Sequence, residues 1–310
     1  MKNTIYNLMN REPTEELQKL LDRIELEAAK NFQLGELQVS YRYYQEMLEK
    51  ILETQKKEKR PIHKGLPFHM IGVIFLLQKK ENEALKYFLL AYIEDTLKPL
   101  PGEEKQADTA PAYSNIVNIF AFDFRILQRI KSISKEKKEK KIDVYDPKDI
   151  LDELQLDINN LLSYKVADFP GFREKRVFIG GDYLVNSENI HILEKYVSDL
   201  SFYPIIPYYI QPPNLPPNYE YQFSLRCLKN CKYAIFSVVH GGGHYFEIDR
   251  CKDRDYNIEP LLLVHKFRGE SNKIAKLSGM ITSIGFSIVE YSDPFSELKL
   301  TVKKYLGLIQ

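Results

Sequence analysis

Two glycine clusters and one carboxylate are the residues of this 310-residue chain whose types and spacing suit chemistry. The clusters are Gly180-Gly181-Asp182-Tyr183 and His240-Gly241-Gly242-Gly243-His244, and Glu247 follows three residues after the second. Glycine lets a backbone approach a ligand closely and take positive φ, and the second cluster feeds a predicted helix N-terminus whose free N–H groups hold phosphate. A nucleotide is the implied guest. Glu247 falls in the first turn of that helix, where an acidic side chain complements the helix dipole without doing chemistry. A sharper use is at a sugar. Breaking an N-glycosidic bond passes through an oxocarbenium-like species, which a carboxylate near the anomeric carbon stabilises or captures. A cationic nicotinamide leaves without needing a proton, so one glutamate suffices.

His240, His244 and Glu247 also form a candidate ligand trio. Three glycines between the histidines make a flexible frame, and no carboxylate is evident to orient either ring, so no metal is expected. His244 reads as a contact to phosphate or base, or as a helix cap. Cys227 and Cys231 stand one helical turn apart and are expected to be packed rather than redox-active.

The balance of 44 Lys and Arg against 43 Asp and Glu leaves a formal charge of +1, which offers no one-signed field for a nucleic-acid backbone or an anionic lipid surface. Three cysteines make neither a disulfide framework nor a zinc ribbon, and a cytoplasmic setting is expected. The N-terminus lacks the apolar core of a secretory signal, and apolar runs such as Ile71 to Leu77 are far shorter than the ~20 residues of a membrane span.

The elements that must position the glycines and Glu247 follow from a change of texture along the chain. From Glu15 to about Tyr164 apolar residues recur at spacings of three and four, as in Leu17, Leu20, Leu21 and Ile24, which predicts a helical domain over residues 1–168. Asp168-Phe169-Pro170-Gly171-Phe172 is the predicted boundary, and residues 174–310 form the second domain. There, β-branched and aromatic runs at Arg176 to Ile179, Tyr203 to Tyr208, Tyr233 to Val239, Leu261 to His265 and Ser287 to Tyr291 alternate with helical stretches. The intervening helices are expected at about Glu188 to Leu200, Tyr219 to Leu228, Tyr245 to Asp253 and Lys273 to Met280. Asp293-Pro294 opens a last one, running to Leu306.

The predicted class is therefore α + α/β: a helical, repeat-like domain, then a flavodoxin-like five-stranded parallel sheet with helices on both faces, in the order 2-1-3-4-5. In that order the chain leaves strands one and three in opposite directions, and a crevice opens at their carboxyl ends, between the two glycine clusters. The Pro-rich stretch Gln211 to Pro217 follows strand two near the same edge and reads as a lid, an assembly contact or a plain connection. The mixed-sign run Lys135 to Lys141 reads as a solvated helix end.

Two resemblances add to this reading. Phe68, Ile71, Gly72, Phe75, Ala84, Phe88 and Ala91 follow the large-and-small pattern of a tetratricopeptide repeat, with Phe68 in place of the usual Trp and Pro99 arriving late. Tyr41 to Leu52 and Ile116 to Ile133 would be flanking helices. Such a unit needs stacked neighbours to cover its face, and it implies a surface for self-association or a partner protein.

The segments Val177 to Tyr183, Leu228 to Ser237 and Gly243 to Ile248 resemble the corresponding blocks of the nucleoside 2-deoxyribosyltransferase-like and Toll/interleukin-1 receptor (TIR)-like superfamily, from Arg176 to the C-terminus. The resemblance implies that Glu247 is the catalytic carboxylate and that Gly180, Gly181, Asp182 and Tyr183 line a nucleotide pocket. Ser237, His240, Gly241, Gly242, Gly243 and His244 complete the expected substrate-binding set. Ser237 stands where many relatives carry Asp, and Tyr245-Phe246 replaces the usual Trp-Cys pair of the TIR enzymes. Prokaryotic members that join such a domain to a helical one often act as immune effectors that cleave NAD once assembled. The implied activity is thus NAD glycohydrolysis, with NAD as substrate and no cofactor. The alternatives are a nucleotide-sensing module without turnover, and nucleoside or nucleotide hydrolysis or transfer.

Overall fold

The computed structural model describes residues 11–98, 107, 110–164, 173–181, 183, 187–210, 217–238, 244–265, 286, 288–292 and 296–309. Two compact units divide the chain, Met1–Ala167 with Pro212–Tyr219, and Asp168–Gln211 with Glu220–Gln310. The predicted boundary residues 168–172 lie outside the described ones.

In the first unit the helices are α1 (Glu15–Gln33), α2 (Leu37–Glu58), α3 (Gly65–Leu77), α4 (Glu81–Leu97), α5 (Pro111–Phe120), α6 (Phe124–Glu139) and α7 (Lys148–Glu153). Thr14 caps α1 by accepting from the Leu17 amide at 3.4 Å, and Leu17, Leu21, Ile24 and Ala28 give that helix its single buried stripe. By contrast α3 buries Phe68, Met70, Ile71, Val73, Ile74, Leu76 and Leu77 around its whole circumference, as a helix enclosed by neighbours must. The hairpin of α3 and α4 is the one its small residues predict. A Cβ on Gly72 would lie 2.8 Å from the Phe88 ring and 3.2 Å from the Ala84 carbonyl. One expectation needs correcting. Ile116 to Ile133 is not a continuous helix, because Ala121 takes φ of 48° as the C-cap of α5 and Asp123 restarts the chain by accepting from the Arg125 amide at 2.8 Å.

A buried ionic trio ties this unit together. Glu94 is fully buried on α4, and its carboxylate meets Arg11 Nη2 at 2.7 Å and Lys64 Nζ at 2.9 Å. Arg11 also donates to the Val144 carbonyl at 2.9 Å, and Lys64 donates to the carbonyls of Ile62 and Tyr145, each at 3.0 Å. Burial pushes the Glu94 carboxyl up, but the two cations, Arg11 foremost, outweigh it and hold the group below the usual carboxylate range.

The second unit contains β1 (Arg176–Gly181), α8 (Ser187–Asp199), β2 (Tyr203–Ile205), α9 (Pro207–Ile210), all but the first three residues of α10 (Pro217–Lys229), β3 (Tyr233–Ser237), α11 (Tyr245–Arg250), β4 (Leu261–His265), β5 (Ile288–Tyr291) and α12 (Glu297–Tyr305). All five strands pair in parallel in the order β2-β1-β3-β4-β5. Successive strand residues point to opposite faces. Val177, Ile179, Ile235, Leu261 and Leu263 share one core with Ile190, Leu193 and Val197 of α8 and Leu298 and Val302 of α12.

Two boundaries differ from expectation for reasons of backbone chemistry. The second strand stops at Ile205, because Pro207 has no N–H for a ladder and opens the short helix α9 instead. Pro204 sits within β2, opposite Val177, which is tolerated because β2 is an outer strand of the sheet. The first strand runs on through Gly181, so both glycines are buried strand residues. The expected helix Lys273 to Met280 and the Asp293-Pro294 start lie outside the described residues.

Gly180 is held to hydrogen by its neighbours. A Cβ there would sit 2.6 Å from the Phe236 ring and 3.0 Å from that of Phe178, and these two rings pack with centroids 5.5 Å apart. Both rings are buried. Gly180→Ala is therefore expected to cost about 1–3 kcal/mol through overpacking, read as a lower melting temperature, with Phe236→Leu in the same chain recovering much of the loss.

Candidate functional site

The sheet order sets the geometry of the site. β1 and β3 are neighbours, and Gly181 is paired in register with Ser237 at their carboxyl ends. Tyr183 leaves β1, turns back and donates its hydroxyl to the Ile179 carbonyl at 2.9 Å. His244 is the N-cap residue of α11, where its side chain makes no capping hydrogen bond; its ring stands edge-on to Tyr183 with centroids 6.4 Å apart. Burial, and next the charge of Glu247, raise the Tyr183 phenol well above its ordinary range, so these side chains share one electrostatic neighbourhood.

Glu247 itself is only 7% exposed. Its Oε2 is buried without a hydrogen-bond partner among the described residues, and Ser224 of α10 stands near enough to favour the charged form of the carboxyl. Burial raises its pKa, and the influence of its own backbone amide and of Ser224 opposes the rise without cancelling it. The backbone of the same residue is anchored from below, where the Cys251 thiol donates to the Glu247 carbonyl at 3.3 Å. A buried carboxyl with an oxygen unengaged among the described residues has the chemistry to act on a group brought beside it: as an anion facing a developing cation, or as an acid facing a leaving atom.

Of the expected site residues, Tyr183, His244 and Glu247 are brought together, and Gly181 and Ser237 lie side by side in the adjoining strands. Ser237 is buried near Tyr291 of β5, whose phenol burial pushes up to about 12. Gly180 faces the Phe236 ring. Asp182, His240, Gly241, Gly242 and Gly243 lie outside the described residues. Cys227 and Cys231 are buried thiols, and burial pushes Cys231 up to about 12, so neither is a thiolate at neutral pH.

Ser224 escaped the sequence reading. A signal for it exists: a serine between Phe223 and Cys227 on the buried stripe of α10 is polar where packing favours an apolar side chain. A hydrogen bond to an ionised group is worth ~1.5–3 kcal/mol, and Ser224 favours the ionised form of Glu247. Ser224→Ala is expected to raise the titration midpoint of that carboxyl further, as read by isotope-edited NMR of labelled glutamate.

Comparison of the chain with protein-family models, with curated proteins and with solved structures finds no match.

Proposed function

We propose that this protein is an N-glycosidase that cleaves NAD, with Glu247 as its essential carboxylate. One observation carries the reading: Glu247 is nearly buried, lies close enough to Tyr183 for its charge to bear on that phenol, and keeps its Oε2 without a hydrogen-bond partner among the described residues. In the reaction the bond between the ribose anomeric carbon and the nicotinamide nitrogen breaks, and its electron pair neutralises the pyridinium. Glu247 stabilises or captures the resulting cation, and water completes the hydrolysis with release of a proton. Ser224 is the positioning residue. The resemblance to TIR-like enzymes motivates NAD as the substrate and activation by assembly through the helical unit, in the manner of a prokaryotic defence effector.

The test is nicotinamide release from NAD by the purified protein, which Glu247→Gln removes. An equal rate in that variant overturns the assignment. The raised pKa of Glu247 favours a second reading, because a protonated carboxyl donates to a leaving base that is neutral, as in a purine nucleoside or nucleotide. That enzyme would release free base from such substrates along a pH profile that falls as Glu247 ionises, and would leave NAD intact.

A further inference from the structure

Beside Glu247 runs an array of aromatic rings that the glycosidic chemistry leaves unused. Tyr183 stacks on Tyr208 of α9 with centroids 4.9 Å apart and planes 13° from parallel. Tyr209, the next residue, lies 6.5 Å from Tyr183 and stacks with His191 of α8 at 5.7 Å and 22°. The inner end of this array is the edge contact of Tyr183 with His244, three residues before the carboxylate. Its outer end is open: Tyr208 is 44% exposed and Tyr209 46%.

The topology explains why these rings gather. β2 ends at Ile205 and Pro207 turns the chain at once into α9, so Tyr208 and Tyr209 stand at the carboxyl end of the strand beside β1, whose own exit supplies Tyr183. Tyr208 and Tyr209 meet edge to face, with centroids 6.0 Å apart and planes 63° from parallel, so together they offer a flat ring face beside a ring edge, at low entropic cost since a tyrosine has few rotatable bonds to fix. Any nucleobase has a π-face that stacks on such a ring.

We infer that Tyr208 and Tyr209, backed by Tyr183 and His191, form a stacking subsite for the planar heterocyclic base of a nucleotide, a purine or a pyridine, next to the carboxylate that acts on the sugar. The inference rests on the glycosidase reading only for that choice of ligand. A platform that recognises the base gains nothing from the sugar phosphate alone, and this separates it from a phosphate site and from a sugar-binding surface.

Equilibrium dialysis with adenosine monophosphate, nicotinamide mononucleotide and ribose 5-phosphate tests it. The wild-type protein is expected to retain at least one of the two base-bearing ligands more tightly than ribose 5-phosphate. Tyr208→Ala and Tyr209→Ala are each expected to weaken that retention about tenfold, and Tyr208→Phe to preserve it. Thermal melts of each variant identify any loss that comes from unfolding; if Tyr208→Ala does not fold, the exposed Tyr209 and the conservative Tyr208→Phe carry the test. Equal binding of ribose 5-phosphate by the wild type, no binding of either base-bearing ligand, or undiminished binding in both alanine variants overturns the subsite. If base-bearing ligands bind as expected and NAD stays intact, the subsite stands and the NAD-cleaving reading fails. If NAD is cleaved and the tyrosine variants bind as the wild type does, the reverse holds.

Discussion

Glu247→Gln is expected to abolish nicotinamide release, by about 10²- to 10³-fold, and at the same time to make the folded protein more stable at neutral pH. The rate falls because a neutral amide cannot offset the positive charge that develops on the sugar, and the loss of one preorganised electrostatic group costs about that much. The stability rises because burial disfavours the charged form of this carboxyl in the folded state. Between the ordinary carboxyl pKa and the raised one, the unfolded chain has lost a proton that the folded chain keeps, so stability falls as pH rises through that window and stays lowered above it. Removing the charge should return ~0.5–2 kcal/mol at pH 7, and the gain should vanish near pH 4, where the unfolded carboxyl is also largely protonated. Thermal melts of both proteins at the two pH values measure this. If Glu247 serves only to complement the dipole of α11, the substitution lowers stability at pH 7 by a few tenths of a kcal/mol, and the sign of the change separates the two roles.

Glu94→Gln should have the larger effect on folding. It leaves Arg11 and Lys64 buried with no anion between them, and breaking a buried ionic cluster by removing one partner costs about 3–5 kcal/mol. Domains are commonly stable by ~5–15 kcal/mol, so the helical unit would be left close to its limit. Urea denaturation followed by circular dichroism should show the loss. Replacing the whole trio at once, with Arg11→Met, Lys64→Met and Glu94→Leu in one chain, is by contrast expected to be close to neutral, because the desolvation cost disappears along with the attraction. The wild-type trio also predicts acid sensitivity. Glu94 has its pKa held below the unfolded value, so its contribution is present above the unfolded pKa and is lost as pH falls through the folded one.

How far the chain could be read in advance depended on whether the deciding residue carried its own signal. Strand order was legible because β-branched runs recur with helical stretches between them, and right-handed crossovers leave few ways to lay five such units down. Gly72 was legible as a close-approach point because large residues flank it at helical spacing. The break at Ala121 was not, since an alanine at positive φ gives no sign of the left-handed turn that a glycine would announce. The end of β2 was misjudged by reading through Pro207, and that hid the placement of Tyr208 and Tyr209. Glu247 stood out from its spacing to the glycines, whereas Ser224 lies 23 positions away in sequence, on another helix, and bears on Glu247 only once the chain has folded.

Pro204 limits how this sheet can grow. A strand that docks laterally needs a row of amide donors to grip, and a proline on the outer strand withdraws one from a run only three residues long. That flank is a poor template for edge-to-edge polymerisation. Copies that associate in solution would have to meet through side chains on that side, and fibrous stacking of backbone on backbone is discouraged there.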